Sequence, residues 1–219
     1  MQKNNYIPDS IEKNYCKNMV FGQLKANNIT TKNVLDAFLS VKRSIFVPDN
    51  YKKAAYIDTP IKISENQKML SPLIIGKILQ ELNIEKKYNI LQIGSGSGYL
   101  SALLAKLGRH VDIIEYHESL AKLTFNNLKI SKIKNICISQ EDASYGLKTS
   151  KKYDCIVITF AMPKIIERLL DNLSINGKIV AFLGTAPNIQ VTLIKKISQK
   201  QFISSILFET DVPKMITNS

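Results

Sequence analysis

Arginine is nearly missing from this chain. It stands at only three positions, Arg43, Arg109 and Arg168, while the formal net charge is +12. The positive charge is therefore carried by lysine, spread along the whole length rather than gathered in one stretch. Sites that read phosphates and base edges favour the planar fork of arginine over the point charge of lysine. The scarcity argues against a dedicated nucleic-acid surface. Lysine, asparagine and isoleucine together point instead to a composition set by an AT-rich genome. Cysteine is also scarce. Cys16, Cys137 and Cys155 are an odd, widely spaced set without a Cys-x-x-Cys. That argues against both a disulfide framework and a structural zinc site, and leaves buried free thiols in a reducing compartment. No apolar run approaches the roughly 18–20 residues needed to cross a bilayer. The first eight residues, Met-Gln-Lys-Asn-Asn-Tyr-Ile-Pro, lack the apolar segment of a secretion signal. The expectation is a soluble, cytoplasmic protein. Repeats, low-complexity tracts and Gly/Ser/Pro-rich linkers are missing too, so 219 residues with 45% hydrophobic content suit one sizeable core.

What is present divides into two patterns. From about residue 10 to 46 the apolar spacing is helical: Leu24, Ile29, Val34, Leu35, Phe38 and Leu39 recur at three- and four-residue steps. Thr30 and Thr31 are suited to cap the following helix. Val47-Pro-Asp-Asn50 ends it, and residues 51–71 show no period. Ser71-Pro72 then opens a helix with apolar Ile74, Ile75, Ile78, Leu79 and Leu82. Beyond it, strands and helices alternate. Strands are predicted at 89–94, 111–115, 136–139, 153–159 and 178–183, with helices over 99–107, 119–129 and 164–173. Two more strands, 189–197 and 202–208, form a hairpin-like end. This alternation predicts an α/β, doubly wound, mostly parallel sheet covered on both faces. Residues 1–72 form an N-terminal helical region and loop packed on a core of residues 73–219.

Ligand chemistry concentrates at Gly94-Ser95-Gly96-Ser97-Gly98, between a predicted strand and a helix. Glycines there let the backbone turn sharply and approach a ligand. Glu115 ends the next strand, 21 residues after Gly94, where a carboxylate meets ribose hydroxyls. The spacing Gly-x-Gly-x-Gly is one residue tighter than a dinucleotide fingerprint, and no Lys-Ser/Thr follows to hold a triphosphate. The loop resembles that of Rossmann-like S-adenosyl-L-methionine-dependent methyltransferases. By that resemblance Asp142 and Ala143, after the third strand, belong to the cofactor site. The end of the fourth strand is Thr159-Phe-Ala-Met-Pro163, without the Asn/Asp-Pro-Pro-aromatic of amino methyltransferases acting on bases. Cys155 lies mid-strand among Ile156, Val157 and Ile158, where a thiol is buried and inert. The carboxylate cluster a Mg²⁺-assisted enzyme needs at that end is missing. His110 and His117 flank the second strand and read as structural histidines rather than a general base.

Several stretches together resemble the protein-L-isoaspartate O-methyltransferase family, over about residues 20–184. They are Gln23-Leu-Lys-Ala-Asn-Asn-Ile29, Val41-Lys-Arg-Ser-Ile-Phe-Val-Pro48, Ala55-Tyr-Ile-Asp-Thr-Pro60, Leu91-Gln-Ile-Gly-Ser-Gly-Ser-Gly-Tyr99 and Gly177-Lys-Ile-Val-Ala-Phe-Leu-Gly184. The resemblance implies methylation of the carboxylate of isoaspartyl residues in damaged proteins, with S-adenosyl-L-methionine as cofactor and no metal. A carboxylate with a pKa near 4 is ionised at neutral pH and needs no base. The work left to the site is placement, which is worth roughly 7–11 kcal/mol when good.

The resemblance also assigns Glu65-Asn-Gln-Lys-Met-Leu-Ser-Pro72 to the substrate loop, where the family keeps Gly-x-Gly-Gln-Thr-Ile-Ser-x-Pro. Anchoring on Gln67 and Pro72 sets Ser64-Glu65-Asn66 at the flexible Gly-x-Gly and Leu70 at the functional serine. Asn66, Gln67, Leu70 and Thr159 are the substrate-side residues. Ser71 is the nearest hydroxyl and the candidate catalytic residue; it stands one position late, a shift of about 100° on a helix start, and it also suits a helix cap. Gln92 replaces an acidic residue, and Phe160 replaces a smaller one and narrows the pocket. Three readings stay open: isoaspartyl repair; a same-fold methyltransferase with another carboxyl, hydroxyl or nucleic-acid target; and a non-catalytic module that binds the cofactor or a protein.

Overall fold

The computed structural model describes residues 7–210 and Val212. Residues 1–6, read above for a missing leader, and Asp211 and residues 213–219 at the end of the expected core lie outside the described residues.

The helical N-terminal region forms where the spacing predicts it, in short pieces. Helix α1 (Asp9–Lys17) runs into a π-helical stretch, Asn18–Leu24, and a 3₁₀ turn, Lys25–Asn27. Helix α2 (Lys32–Ser40) buries Val34, Leu35, Ala37 and Phe38, the i, i+3, i+4 face of one amphipathic helix. Thr31 occupies the N-cap position without making a capping bond. Its hydroxyl donates instead to Gln80 Oε1 at 3.1 Å, which also accepts the Thr30 amide at 2.8 Å. A residue 49 positions away thus outcompetes the local cap, a partner that sequence spacing cannot show. Two 3₁₀ turns, Arg43–Phe46 and Asp49–Ala54, lead to a two-stranded hairpin, β1 (Ile61–Lys62) with β2 (Lys68–Met69). The aperiodic stretch 51–71 is therefore a turn and a small hairpin. Helix α3 (Pro72–Leu82) has Pro at its start and buries Ile75, Ile78, Leu79 and Leu82, while Ile74 is half-buried.

The remaining chain alternates as predicted: β3 (Asn89–Ile93), α4 (Tyr99–Leu107), β4 (His110–Glu115), α5 (Glu118–Ile130), β5 (Ile136–Gln140), β6 (Tyr153–Met162), α6 (Glu167–Asp171), β7 (Leu173–Thr185), β8 (Asn188–Lys196) and β9 (Phe202–Thr210). The sheet order is β5-β4-β3-β6-β7-β8-β9. The first five strands in this order are parallel, and β8 and β9 join antiparallel as a closing hairpin. Strands β3, β6 and β7 are covered on both faces, which is why their sequences read as apolar runs rather than alternations.

Three expectations change. The helix placed over 164–173 is only Glu167–Asp171, because Pro163 ends the preceding strand and β7 already begins at Leu173. Strand β7 is longer than predicted. Leu173 pairs with Tyr153 and Lys178 with Cys155, so residues between them bulge, with Asn176 at φ 64°. Cys137 is exposed rather than buried, since it sits on the edge strand β5. Cys16 and Cys155 are buried. Among the described residues, no helix is long and apolar enough to cross a membrane.

One hydrophobic cluster runs from Cys16 through Phe38, Met69, Leu79, Leu103 and Phe182 to Val212, packing the N-terminal helices against one face of the sheet. A second, around Leu91, Ile156 and Leu169, fills the other face. Each large apolar side chain so buried contributes about 1.5–3 kcal/mol relative to exposure. Strand order reverses between β3 and β6, and this opens a crevice at the carboxyl ends of the central strands.

Candidate active site

The crevice is a cleft holding about 920 Å³ of space, part of it open to solvent. Its floor is the glycine loop. Gly94, Gly96 and Gly98 take φ values of 84°, 57° and 86°, backbone that side-chain-bearing residues rarely adopt. At Gly94 a Cβ would come within 2.4 Å of Thr159 Oγ1. Gly98 itself faces Thr124 and starts α4 rather than lining the cleft; Gly94, Ser95, Gly96 and Ser97 line it.

Glu115 is buried beneath this loop and holds it in shape. Its Oε2 accepts the Ser95 amide at 2.7 Å, the Ser95 hydroxyl at 2.9 Å and the Gly96 amide at 3.2 Å, and its Oε1 accepts the His117 amide at 3.1 Å. Four donors offset the cost of burying a carboxylate. The Thr124 hydroxyl donates to Ser95 Oγ at 2.9 Å, and Asn127 Nδ2 donates to the Ser97 carbonyl at 2.9 Å. Helix α5 is thus bolted to the loop. On the other side, Gln92 Nε2 and the Thr159 hydroxyl each donate to the Gly94 carbonyl at 2.8 Å, and Gln92 Oε1 accepts from Ser101 at 2.7 Å. An acidic residue at this position could make only the accepting half of that arrangement.

After β5, Asp142 Oδ1 accepts the Ser144 amide at 2.8 Å, and Glu141, Asp142, Ala143 and Ser144 form the cleft wall next to Glu115. The opposite wall is the β1–β2 hairpin and its exit, through Gln67, Lys68, Met69 and Leu70. Asn66 stands exposed at the hairpin tip with φ 54° and does not line the cleft. Ser71 is buried and lies outside the lining; it occupies the α3 N-cap position with no side-chain capping bond. Its expected reach into the site therefore lacks a geometric basis here. Leu70 does face the cleft and offers no donor. Phe160 lines it beside Gly94, as expected for a pocket-narrowing residue.

Behind Leu70 lies Arg43, fully buried. It donates to the Ala55 carbonyl at 2.5 Å and the Leu70 carbonyl at 3.2 Å, and its guanidinium sits 5.4 Å from the centre of the Tyr99 ring. Burial pulls its pKa below the ordinary value, against the opposing influence of Tyr99 and Asp58. Tyr99, His117 and Tyr116 also line the cleft. Sequence reading placed His110 and His117 together as flanks of one strand. The structure separates them: His110 pairs with Asp112 at 3.1 Å at the far end of β4, and His117 enters the cleft. Position two residues past a strand-ending carboxylate was the available signal. Cys155 is no nucleophile, since burial pushes its thiol up to about 12. Among the described residues, no group of three or more His, Cys, Asp or Glu side chains is placed to hold a metal.

The model of the family described as protein-L-isoaspartate(D-aspartate) O-methyltransferase matches residues 14–212. The chain belongs to this family. Among its relatives, the protein-L-isoaspartate O-methyltransferase of Petrotoga mobilis is 40% identical over 168 residues, covering 76% of this chain and 79% of the relative. That of Methanoculleus marisnigri is 34% identical over 188 residues, covering 86% and 84%. A Plasmodium falciparum structure, described as this kind of methyltransferase in complex with S-adenosyl-L-homocysteine, superposes with a TM-score of 0.79 at 22% identity, over 94% of this chain and 99% of that one. Another protein-L-isoaspartate O-methyltransferase structure gives 0.81 at 20% identity, over 93% of this chain and 66%, just under two thirds, of that longer chain. Both share the fold described above.

Proposed function

We propose that this protein is an S-adenosyl-L-methionine-dependent methyltransferase that esterifies the carboxylate of isoaspartyl residues in proteins, acting in the cytoplasm. The observation that carries the reading is one cleft, at the switch point of the sheet, walled on one side by the Glu115-braced glycine loop and on the other by the Gln67–Leu70 hairpin exit. Glycine at position 94 lets Thr159 pack directly on the loop, where a Cβ would meet its Oγ1 at 2.4 Å, and so keeps the loop in the shape that lines the cleft. Ser95, Glu115 and Asp142 offer the polar groups a ribose and an adenine need.

S-adenosyl-L-methionine, held by the glycine loop with Ser95, Glu115 and Asp142, would supply a methyl group on a cationic sulfur for a substrate carboxylate oxygen to accept, leaving the neutral thioether. Opposite charges cancel as the ester forms. A wall of Leu70, Ile75 and Leu100 favours that cancellation, since an apolar surround penalises separated charge. No side chain has to move a proton. Gln67 and Lys68 are the hairpin residues in the cleft that carry donors for the carboxylate. A second reading, another acceptor on the same fold, is favoured by one observation: the cleft-facing residue at the family's serine position is Leu70.

The test is transfer of a labelled methyl group to an isoaspartyl peptide, giving a base-labile ester, with wild type beside Leu70→Ser. Activity in wild type, raised about tenfold in the variant by one added hydrogen bond to the carboxylate, is the expected result. Homocysteine-cofactor binding with no transfer in either protein would transfer support to the second reading.

A further inference from the structure

The tip of the β1–β2 hairpin is tied across the cleft mouth by one side chain. Glu65 accepts a hydrogen bond from the Ser119 hydroxyl at 2.5 Å, and its other carboxylate oxygen lies 3.7 Å from His117 Nδ1. His117 is the N-cap residue of the 13-residue helix α5 and Ser119 lies in its first turn. The positive end of the helix favours a carboxylate there. Under the tie, Ile63 of the hairpin lies 3.3 Å from where a Cβ on Gly96 would be. Gln67, Lys68 and Met69 line the cleft on the hairpin side, and Ser97, His117 and Leu120 on the α5 side. The tie therefore closes a bridge over the glycine loop.

The hairpin has little else to hold its far end. Its strands are two residues each and pair only with one another. Ile61 and Met69 anchor the base in the core. Among the described residues, the recorded bonds from the tip, residues 64–66, to other parts of the protein are those of Glu65. The turn also holds Glu65 and Asn66 at positive φ, 57° and 54°, backbone that residues with side chains adopt less readily.

We propose that Glu65 is a positioning residue that clasps the hairpin to α5, retaining the S-adenosyl ligand and setting Gln67–Leu70 against it. This rests on the cofactor reading above. The experiment measures dissociation of S-adenosyl-L-homocysteine by stopped-flow displacement from wild type, Glu65→Ala, Ser119→Ala and the double variant. Each single variant is expected to release the ligand several-fold to tenfold faster, and the double no faster than Glu65→Ala, because both remove one contact. Glu65→Gln, which keeps an acceptor for Ser119 and loses the charge, falls between. Added salt speeds release from wild type and not from Glu65→Ala. A merely structural role would lower the melting temperature and leave release rates and their salt dependence alone. Release from Glu65→Ala within twofold of wild type, or effects that multiply in the double variant, overturns the proposal. Wild type that does not bind the ligand at all overturns the cofactor reading, and the clasp with it.

Discussion

Gln92 shows how one neutral amide can hold a glycine loop from beneath. It gives a proton to the Gly94 carbonyl and takes one from Ser101, while staying uncharged in a fully buried place. Gln92→Glu keeps the shape, loses the donated bond and sets negative oxygen against the Gly94 carbonyl. The expected cost is about 1–3 kcal/mol in the ligand-free protein, seen as a melting temperature lower by roughly 2–10 °C. An unchanged melting temperature would mean that the loop does not depend on this bond. The same residue marks the limit of reading by pattern. Its place in a strand before a glycine loop was plain, but its two partners, Gly94 O and Ser101, follow only from the way α4 folds back over β3.

The elements follow a similar division. Helices α3, α4 and α5 and strands β3 to β6 lie near their expected bounds, because periodic burial and glycine or proline punctuation both mark them, whereas α2 ends at Ser40, six residues before the expected Phe46, and a 3₁₀ turn takes up the rest. The first part of strand β7, before Lys178, escaped because its Asn176–Gly177 bulge looks like a terminating turn. The cleft wall opposite the glycine loop was legible only as a family position. What fixes it is Arg43, a residue 27 positions upstream of Leu70, whose guanidinium ties the 3₁₀ turn, the Ala55 carbonyl and the hairpin exit into one piece. A buried cation is costly, and its bonds to two carbonyls together with the charge of Asp58 offset part of that cost, while among the described residues its Nε finds no partner. Arg43→Met removes the charge and also strands two carbonyls. The net loss is expected to be on the order of 2 kcal/mol by urea denaturation. In the methyl-transfer assay, KM for the peptide should rise more than kcat falls, because Leu70 and its neighbours lose their fixed position.

At the scale of the whole molecule, the charge and the core pull on different properties. A net charge of +12 and a calculated isoelectric point near 9.5 keep copies apart at neutral pH and bring polyanions close without selecting among them. The core, by contrast, crosses the boundary between residues 1–72 and 73–219: one cluster contains Cys16, Met19 and Leu24 from the first helices, Ile78 from α3, Phe182 from β7 and Val212 near the chain end.

That continuity has a consequence for a chain made from one end to the other. The first helices leave the ribosome with Met19, Val20, Leu24 and Phe38 bare, and the helices that pack on them, α3 and α4, are complete only at Leu107. Synthesis runs at about 5–20 residues per second, so the early apolar stripe waits for roughly 5–20 seconds before those partners exist. A nascent chain halted at Leu82, before α4 is made, should be cut readily in its first forty residues by a dilute protease, and the finished chain should not.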